Sequence, residues 1–182
     1  TSLLLQKSER ELMAVINCKG DLLKALDDGK ITYAVHQVNC QGRMGSGIAK
    51  SIRAKYPVVY DNYMAKVQPA KDEGLHMELL GDIQICAVYK NFYKTLQHPC
   101  VVNFFSQFNY GYDGCRYTSY DAFWECLNRL KNGLQKGSRI GFPKNIGCGL
   151  GGANWNVIEK MIEEVLGKDF TVYIYELEEE KK

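Results

Sequence analysis

The chain predicts an α/β fold, a three-layer α/β/α sandwich around a mixed, mostly parallel central sheet. Three observations lead there. Short apolar, β-branched runs alternate with amphipathic runs at helical spacing from about residue 15 to residue 175. Two glycine-rich segments each stand between a strand-like run and a helix-like run. With 182 residues, 46% hydrophobic and 24% charged, the chain suits one globular domain with a substantial core.

In chain order, residues 1–12 read as a leader or N-terminal extension, because Met13-Ala14-Val15-Ile16 has the look of a start running straight into a strand. The folded unit is expected over 13–177, with 178–182 as a charged, solvated tail. Strands are expected at 15–18, 31–38, 83–88, 101–106, 140–142 and 170–175. Helices are expected at 21–26, 46–55, 58–66, 119–135 and 154–166. Asp21 stands where an N-cap belongs. The run from Ile48 keeps helical spacing through Ala49, Ile52 and Tyr56 until Pro57 stops it. Tyr120, Phe123, Leu127, Leu130 and Leu134 line one side of the fourth helix, and these read as core. In the last helix Ile158, Met161, Ile162 and Val165 form an apolar stripe, with Glu159, Lys160, Glu163 and Glu164 opposite.

Composition excludes several classes. A net charge of +2, from 23 basic and 21 acidic residues, does not describe a dedicated nucleic-acid binder. No apolar run has bilayer length, and Leu3-Leu4-Leu5 is too short for a signal-peptide core. Seven scattered cysteines with no C-x-x-C pair suit reduced thiols in a cytoplasmic protein. Three histidines without mutual ligand spacing give no reason to expect a metal, and no cofactor is called for. The absence of C-x-x-x-x-x-R argues against a thiol phosphatase.

Chemistry concentrates after the strands. Residues 38–49 read V-N-C-Q-G-R-M-G-S-G-I-A, with Asn39 at the strand end and glycines before a helix. Glycines let backbone approach a ligand, and a helix start aims free N–H groups and the positive dipole end at it, so a phosphate or diphosphate fits. Gly42, Gly45 and Gly47 give G-x-x-G-x-G, which is neither the Rossmann fingerprint nor a Walker A loop. A second glycine segment, 144–155, again follows a strand and opens a helix. Either segment alone also suits a plain turn. In open α/β sheets ligands lie beyond the carboxyl ends of strands, so one shared cleft accounts for both.

These motifs in order, strand-Gly20-Asp21-Leu22, then V-N-x-x-G-x-M-G-x-G-I-A, then P-x-x-I-G-C-G-L-G-G, resemble the macrodomain family of ADP-ribose-binding modules over about residues 15–175. The resemblance implies that Asp21, beside Leu22, accepts from the adenine amino group, while Asn39 meets the distal ribose. It implies that Gly45, Ser46, Gly47 and Ile48 line one side of the diphosphate, and Gly147, Cys148, Gly149, Leu150 and Gly151 the other, through backbone N–H groups. Cys148 is expected there for its size, since no partner base accompanies it.

The nearest branches of the family are ADP-ribose 1″-phosphate phosphatases and enzymes that remove ADP-ribose from acidic side chains or DNA. The second branch uses a lysine after the strand at 101–106 and an acid in the second glycine loop. Here those positions hold Gln107 and Gly151, and a glutamine has no nucleophilic amine. Lys90 and Lys94 are stand-ins that no spacing recommends. The phosphatase branch shares H-x-x-N, here His36 and Asn39, which implies catalysis by Asn39 with His36 protonating a leaving oxygen or positioning water. His36 within an apolar strand reads equally as a core residue. The Gly/Tyr-rich stretch 105–117 suits an ordered loop over a sugar or base, with Asp113 or Arg116 either meeting a distal phosphate or pairing at the surface. The expected activity is therefore hydrolysis of ADP-ribose 1″-phosphate to ADP-ribose and phosphate by a monomer. The alternatives are ADP-ribosyl hydrolysis on protein or nucleic acid, and non-catalytic ADP-ribose binding. Nucleic acid enters only as an ADP-ribosylated substrate, and no membrane partner is expected.

Overall fold

A computed structural model of the chain describes residues 15–89 and 98–178. The expected leader (1–12), the start at Met13, Lys90, Lys94 and the end of the tail lie outside the described residues. Among the described residues six strands form one sheet: β1 Val15–Lys19, β2 Tyr33–Asn39, β3 Ile83–Ala87, β4 Cys100–Gln107, β5 Arg139–Pro143 and β6 Thr171–Glu176. Their order is β1-β6-β5-β2-β4-β3. Every pairing is parallel except β3 against β4. The strands thus match the mixed, mostly parallel α/β sheet expected from the alternation.

Burial tracks position in the sheet. β4 is buried at every residue but its last, and β2 at all but Tyr33 and Gln37, as a strand covered by helices on both faces requires. The edge strand β1 is largely exposed. Helices α1 Leu22–Asp27, α2 Gly47–Lys55 and α3 Pro57–Asp72 cover one face, packing Leu22, Leu26, Ile52, Val59 and Tyr63 with Val38, Val101 and Phe105. Helices α4 Tyr120–Gly133 and α5 Trp155–Leu166 cover the other, where Phe123, Leu127, Ile158 and Ile162 meet Val35, Phe104 and Phe142. Two apolar layers of this size hold the strand ends in place through burial. Among the described residues, no helix is long and apolar enough to cross a membrane.

Helix starts follow local chemistry. Asp21 Oδ1 accepts from Leu23 N (2.7 Å) and Lys24 N (3.3 Å), Ser119 Oγ from Ala122 N (3.1 Å) and Asn154 Oδ1 from Asn156 N (2.9 Å). α3 instead begins with Pro57 at its first position, where no N–H is needed. It runs six residues past the expected end at Lys66, because Val67 continues the buried stripe of Val59 and Tyr63, while Pro69 falls late in the helix. A 3₁₀ turn, His76–Leu79, follows α3.

Candidate functional site

A cleft of about 960 Å³ opens at the carboxyl ends of the parallel strands. β1 contributes Gly20 and Asp21; β2 contributes Asn39; β4 contributes Gln107; β5 contributes Pro143; β6 contributes Tyr175 and Glu176. Both glycine loops line it, and they follow β2 and β5, which are neighbours in the sheet. From β2 the sheet continues to β5 on one side and β4 on the other, the kind of switch point where open α/β sheets bind ligands.

The first loop is built around Asn39. Its Oδ1 accepts from Gln41 N (3.0 Å) and Arg43 N (3.3 Å), and its Nδ2 donates to Arg43 O (2.9 Å). Tyr63 reaches up from α3: its hydroxyl lies 2.7 Å from Asn39 O and 2.8 Å from Oδ1, and it accepts from Gly42 N (3.1 Å). These bonds fold the chain so that Gly45, Ser46, Gly47 and Ile48 face the cleft. Gly47 holds φ at +54°, a region that disfavours a side chain. Ser46 is the N-cap of α2, yet its side chain makes no capping bond, and among the described residues no acceptor takes the N–H groups of Gly45, Ser46, Gly47 or Ile48. A helix start left uncapped toward a cavity is an anion site in waiting.

The second loop mirrors it. Gly147, Gly149, Leu150 and Gly151 line the cleft, and none of their N–H groups has an acceptor among the described residues. Below them, Thr118 Oγ1 donates to Gly147 O (2.8 Å) and the N–H groups of Tyr117 and Thr118 donate to Gly151 O. At Gly151 there is no room for a side chain: a Cβ there would stand 2.5 Å from Gly147 O.

The cleft therefore brings together Asp21, Leu22, Asn39, Gly45, Ser46, Gly47, Ile48, Gly147, Gly149, Leu150 and Gly151. Two expected residues lie outside it. Cys148 does not line the cleft; its N–H is spent on Asn145 O (2.8 Å), and its thiol faces Ile146 O (3.3 Å). Burial pushes that thiol up to about 11, so it stays protonated near neutral pH.

His36 is the larger correction. It is fully buried, on the sheet face covered by α1, α2 and α3. Its Nε2 lies 2.6 Å from Asn103 Oδ1, and its Nδ1 has no hydrogen-bond partner among the described residues. Burial pulls its pKa down to about 4, with the Asn103 bond opposing the fall. The ring is not among the side chains that line the cleft. It does tie stability to pH. The unfolded imidazole takes a proton near pH 6.5 and the folded one only near pH 4, so this contribution is intact above 6.5 and lost as pH falls toward 4, by about 3 kcal/mol. His36→Gln keeps a donor toward Asn103 without a titrating ring. Urea unfolding of that variant is expected to lose much less stability between pH 6.5 and 4 than the parent protein loses.

Asp113 and Arg116 are also absent from the cleft lining. The Asp113 carboxylate accepts from Tyr117 OH (2.9 Å) and Cys115 N (3.1 Å), and the Arg116 guanidinium sits 4.6 Å from the Tyr120 ring centroid. Tyr110, Gly111 and Tyr112 of the same loop do line it. Gln107 Oε1 accepts from Gln37 Nε2 (2.7 Å), while its own Nε2 donates to Asn109 O (2.8 Å). Residues that sequence reasoning passed over are Tyr63, Gln37 and Thr118. A signal was available at Gln37, which together with His36 interrupts the apolar run of its strand.

No family model matches the chain. It is 28% identical over 160 residues to an uncharacterized 17.5 kDa protein of Enterobacteria phage T4, covering 86% of this chain and 92% of the phage protein. It is 26% identical over 173 residues to the ADP-ribose 1″-phosphate phosphatase of Saccharomyces cerevisiae (strain YJM789), covering 85% of this chain and 95% of that enzyme. Among solved structures, the macrodomain of Thermus aquaticus DarG superposes with a TM-score of 0.63 at 24% identity, covering 91% of this chain and 98% of that one. Thermosipho africanus DarTG in complex with ADP-ribose gives 0.64 at 22% identity, covering 93% of this chain and 43% of that one. The fold is that of the macrodomains.

Proposed function

We propose that this chain, a member of the macrodomain fold family, binds ADP-ribose in its cleft and hydrolyses ADP-ribose 1″-phosphate to ADP-ribose and phosphate. One observation carries the reading: two rows of N–H groups without acceptors, Gly45–Ser46–Gly47–Ile48 and Gly147–Gly149–Leu150–Gly151, line the same cleft. A diphosphate offers the acceptors that both rows lack. Each such bond to a charged oxygen contributes about 1.5–3 kcal/mol.

The remaining contacts fit the same nucleotide sugar. Asp21 uses Oδ1 in the α1 cap, which leaves Oδ2 for the adenine amino group. Across the diphosphate, Asn39 stands at the end of β2 with one Nδ2 hydrogen given to Arg43 O and the second outside that bond. That second hydrogen suits a distal ribose hydroxyl or the attacking water. In the reaction, water oxygen bonds to phosphorus, the bond from phosphorus to the ribose oxygen breaks, and a water proton passes to the departing oxygen through solvent. Phosphoryl transfer relies largely on positioning and on donors for the equatorial oxygens, which exposed amides supply.

A non-catalytic ADP-ribose reader is the second reading, and a specific feature favours it. The cleft lining contains no histidine or cysteine, and its Glu176 carboxylate is held below the usual range by Lys19 and Lys144. No poised base is in evidence. The ADP-ribosyl hydrolase reading has less support, because Gln107 replaces the expected lysine and is bonded at both ends of its amide.

Thermal shift with ADP-ribose, followed by phosphate release from ADP-ribose 1″-phosphate, separates these readings. The proposal expects both signals. It also expects Asn39→Asp, which keeps the acceptor for the loop amides but loses the Nδ2 donor, to slow release more than it weakens binding. Binding without release would leave the reader in place of the phosphatase.

A further inference from the structure

Beneath the second glycine loop lies a chain of hydrogen bonds that the proposed chemistry does not itself use. Gln37 is the node. Its side chain leaves β2 on the face opposite His36 and borders the cleft. Its Oε1 accepts from Ser106 Oγ (2.6 Å) on β4. Both Nε2 hydrogens are committed, one to Gln107 Oε1 (2.7 Å) and one to Thr118 Oγ1 (2.8 Å). Thr118 is buried, and its hydroxyl proton therefore goes onward to Gly147 O (2.8 Å), the first residue of the amide row.

Direction is the notable property of this relay. An amide NH₂ can only donate, so it leaves Thr118 Oγ1 only the donor role toward Gly147. The contacts are also tight: a Cβ on Gly147 would stand 2.9 Å from Gln37 Oε1, and one on Gly151 would stand 2.5 Å from Thr118 Oγ1. Gly147 O additionally accepts from Ala153 N (2.9 Å), so the same carbonyl anchors the loop's return into α5.

We infer that Gln37 and Thr118 are positioning residues, whose one-way hydrogen bonding through Thr118 to the Gly147 carbonyl sets the orientation of the second amide row toward the ligand diphosphate. This rests on the ADP-ribose reading for its ligand, but the relay itself is a property of the free protein. Thr118→Val is close in shape and removes the hydroxyl; Thr118→Ser restores it. Gln37→Glu is isosteric and replaces the donor with an acceptor, so the Thr118 proton turns toward Glu and away from Gly147.

Two readouts on folded protein, verified by far-ultraviolet circular dichroism, decide the matter. Without ligand, hydrogen exchange at the bonded amides of Cys148, Gly152 and Ala153 is expected to quicken in Thr118→Val and Gln37→Glu, and to stay near the parent rate in Thr118→Ser. Calorimetry is expected to show ADP-ribose binding weakened on the order of tenfold in the first two, with AMP affinity little changed and Thr118→Ser near the parent protein. Unchanged exchange in Thr118→Val, or equal losses for Ser and Val, would overturn the relay. If the parent protein takes up no ADP-ribose, the functional reading falls instead, and the exchange data alone judge the relay.

Discussion

Gly151→Ala is expected to lower ADP-ribose affinity about a hundredfold or more, with only a moderate loss of stability. The methyl group has nowhere to go. Its carbon would stand 2.5 Å from the backbone oxygen of Gly147 and 2.5 Å from Thr118 Oγ1. A side chain could swing aside, but a backbone carbonyl moves only with its loop. The loop must open, and Gly147, Gly149, Leu150 and Gly151 then leave their places in the cleft lining. Losing two charge-assisted bonds is enough for the predicted change, because each contributes about 1.5–3 kcal/mol. Overpacking of this kind costs about 1–3 kcal/mol of stability, so the variant should still fold. Calorimetry with ADP-ribose and a thermal melt together check both halves.

Gly45→Glu tests the opposite loop by a different route. A Cβ at Gly45 meets nothing within 4 Å, so the fold has no steric objection to a side chain there. The new carboxylate would enter the cleft beside the free amides of Gly45, Ser46 and Gly47 and occupy the donors meant for the ligand. It would also repel the diphosphate across a short distance. Binding is expected to fall below detection by calorimetry while the melting temperature stays within a few degrees, roughly the shift that 1 kcal/mol produces. The pair of variants is informative because their causes differ: one distorts a loop, the other fills a space. A binding site elsewhere on the molecule would leave both without effect.

Much of this arrangement was legible in the residues because the relevant chemistry is local. Strands such as β2 and β4 announce themselves by largely apolar, β-branched runs broken by a few polar residues, and their burial on both faces follows from a parallel sheet between helices. The glycine loops were legible because two of them stand between strands and helix starts, where one shared cleft accounts for both although either alone also suits a plain turn. What was hidden depends on which way a residue faces. His36 and Gln37 are adjacent in β2, so they point to opposite faces. H-x-x-N drew attention to the histidine, yet it is Gln37 that borders the cleft. A strand pattern gives the alternation but not its phase when both faces are apolar.

Other gaps have similar causes. Cys148 sits among loop glycines, and only the three-dimensional turn reveals that its N–H closes on Asn145 O. Tyr63 falls within the expected helix 58–66 with nothing in the sequence to mark it; its hydroxyl braces Asn39 and Gly42 from α3. The sequence left Asp113 and Arg116 open between meeting a distal phosphate and pairing at the surface. Each is instead satisfied within its own loop or at the edge of α4.

The most direct measurement is an amide nitrogen–proton correlation spectrum of the labelled protein during titration with ADP-ribose. Two clamps on one diphosphate predict that Gly45, Ser46 and Gly47 shift together with Gly147, Gly149, Leu150 and Gly151, along a single saturation curve at one equivalent. Movement of one set alone, or separate curves for the two, would contradict a shared anion held between them.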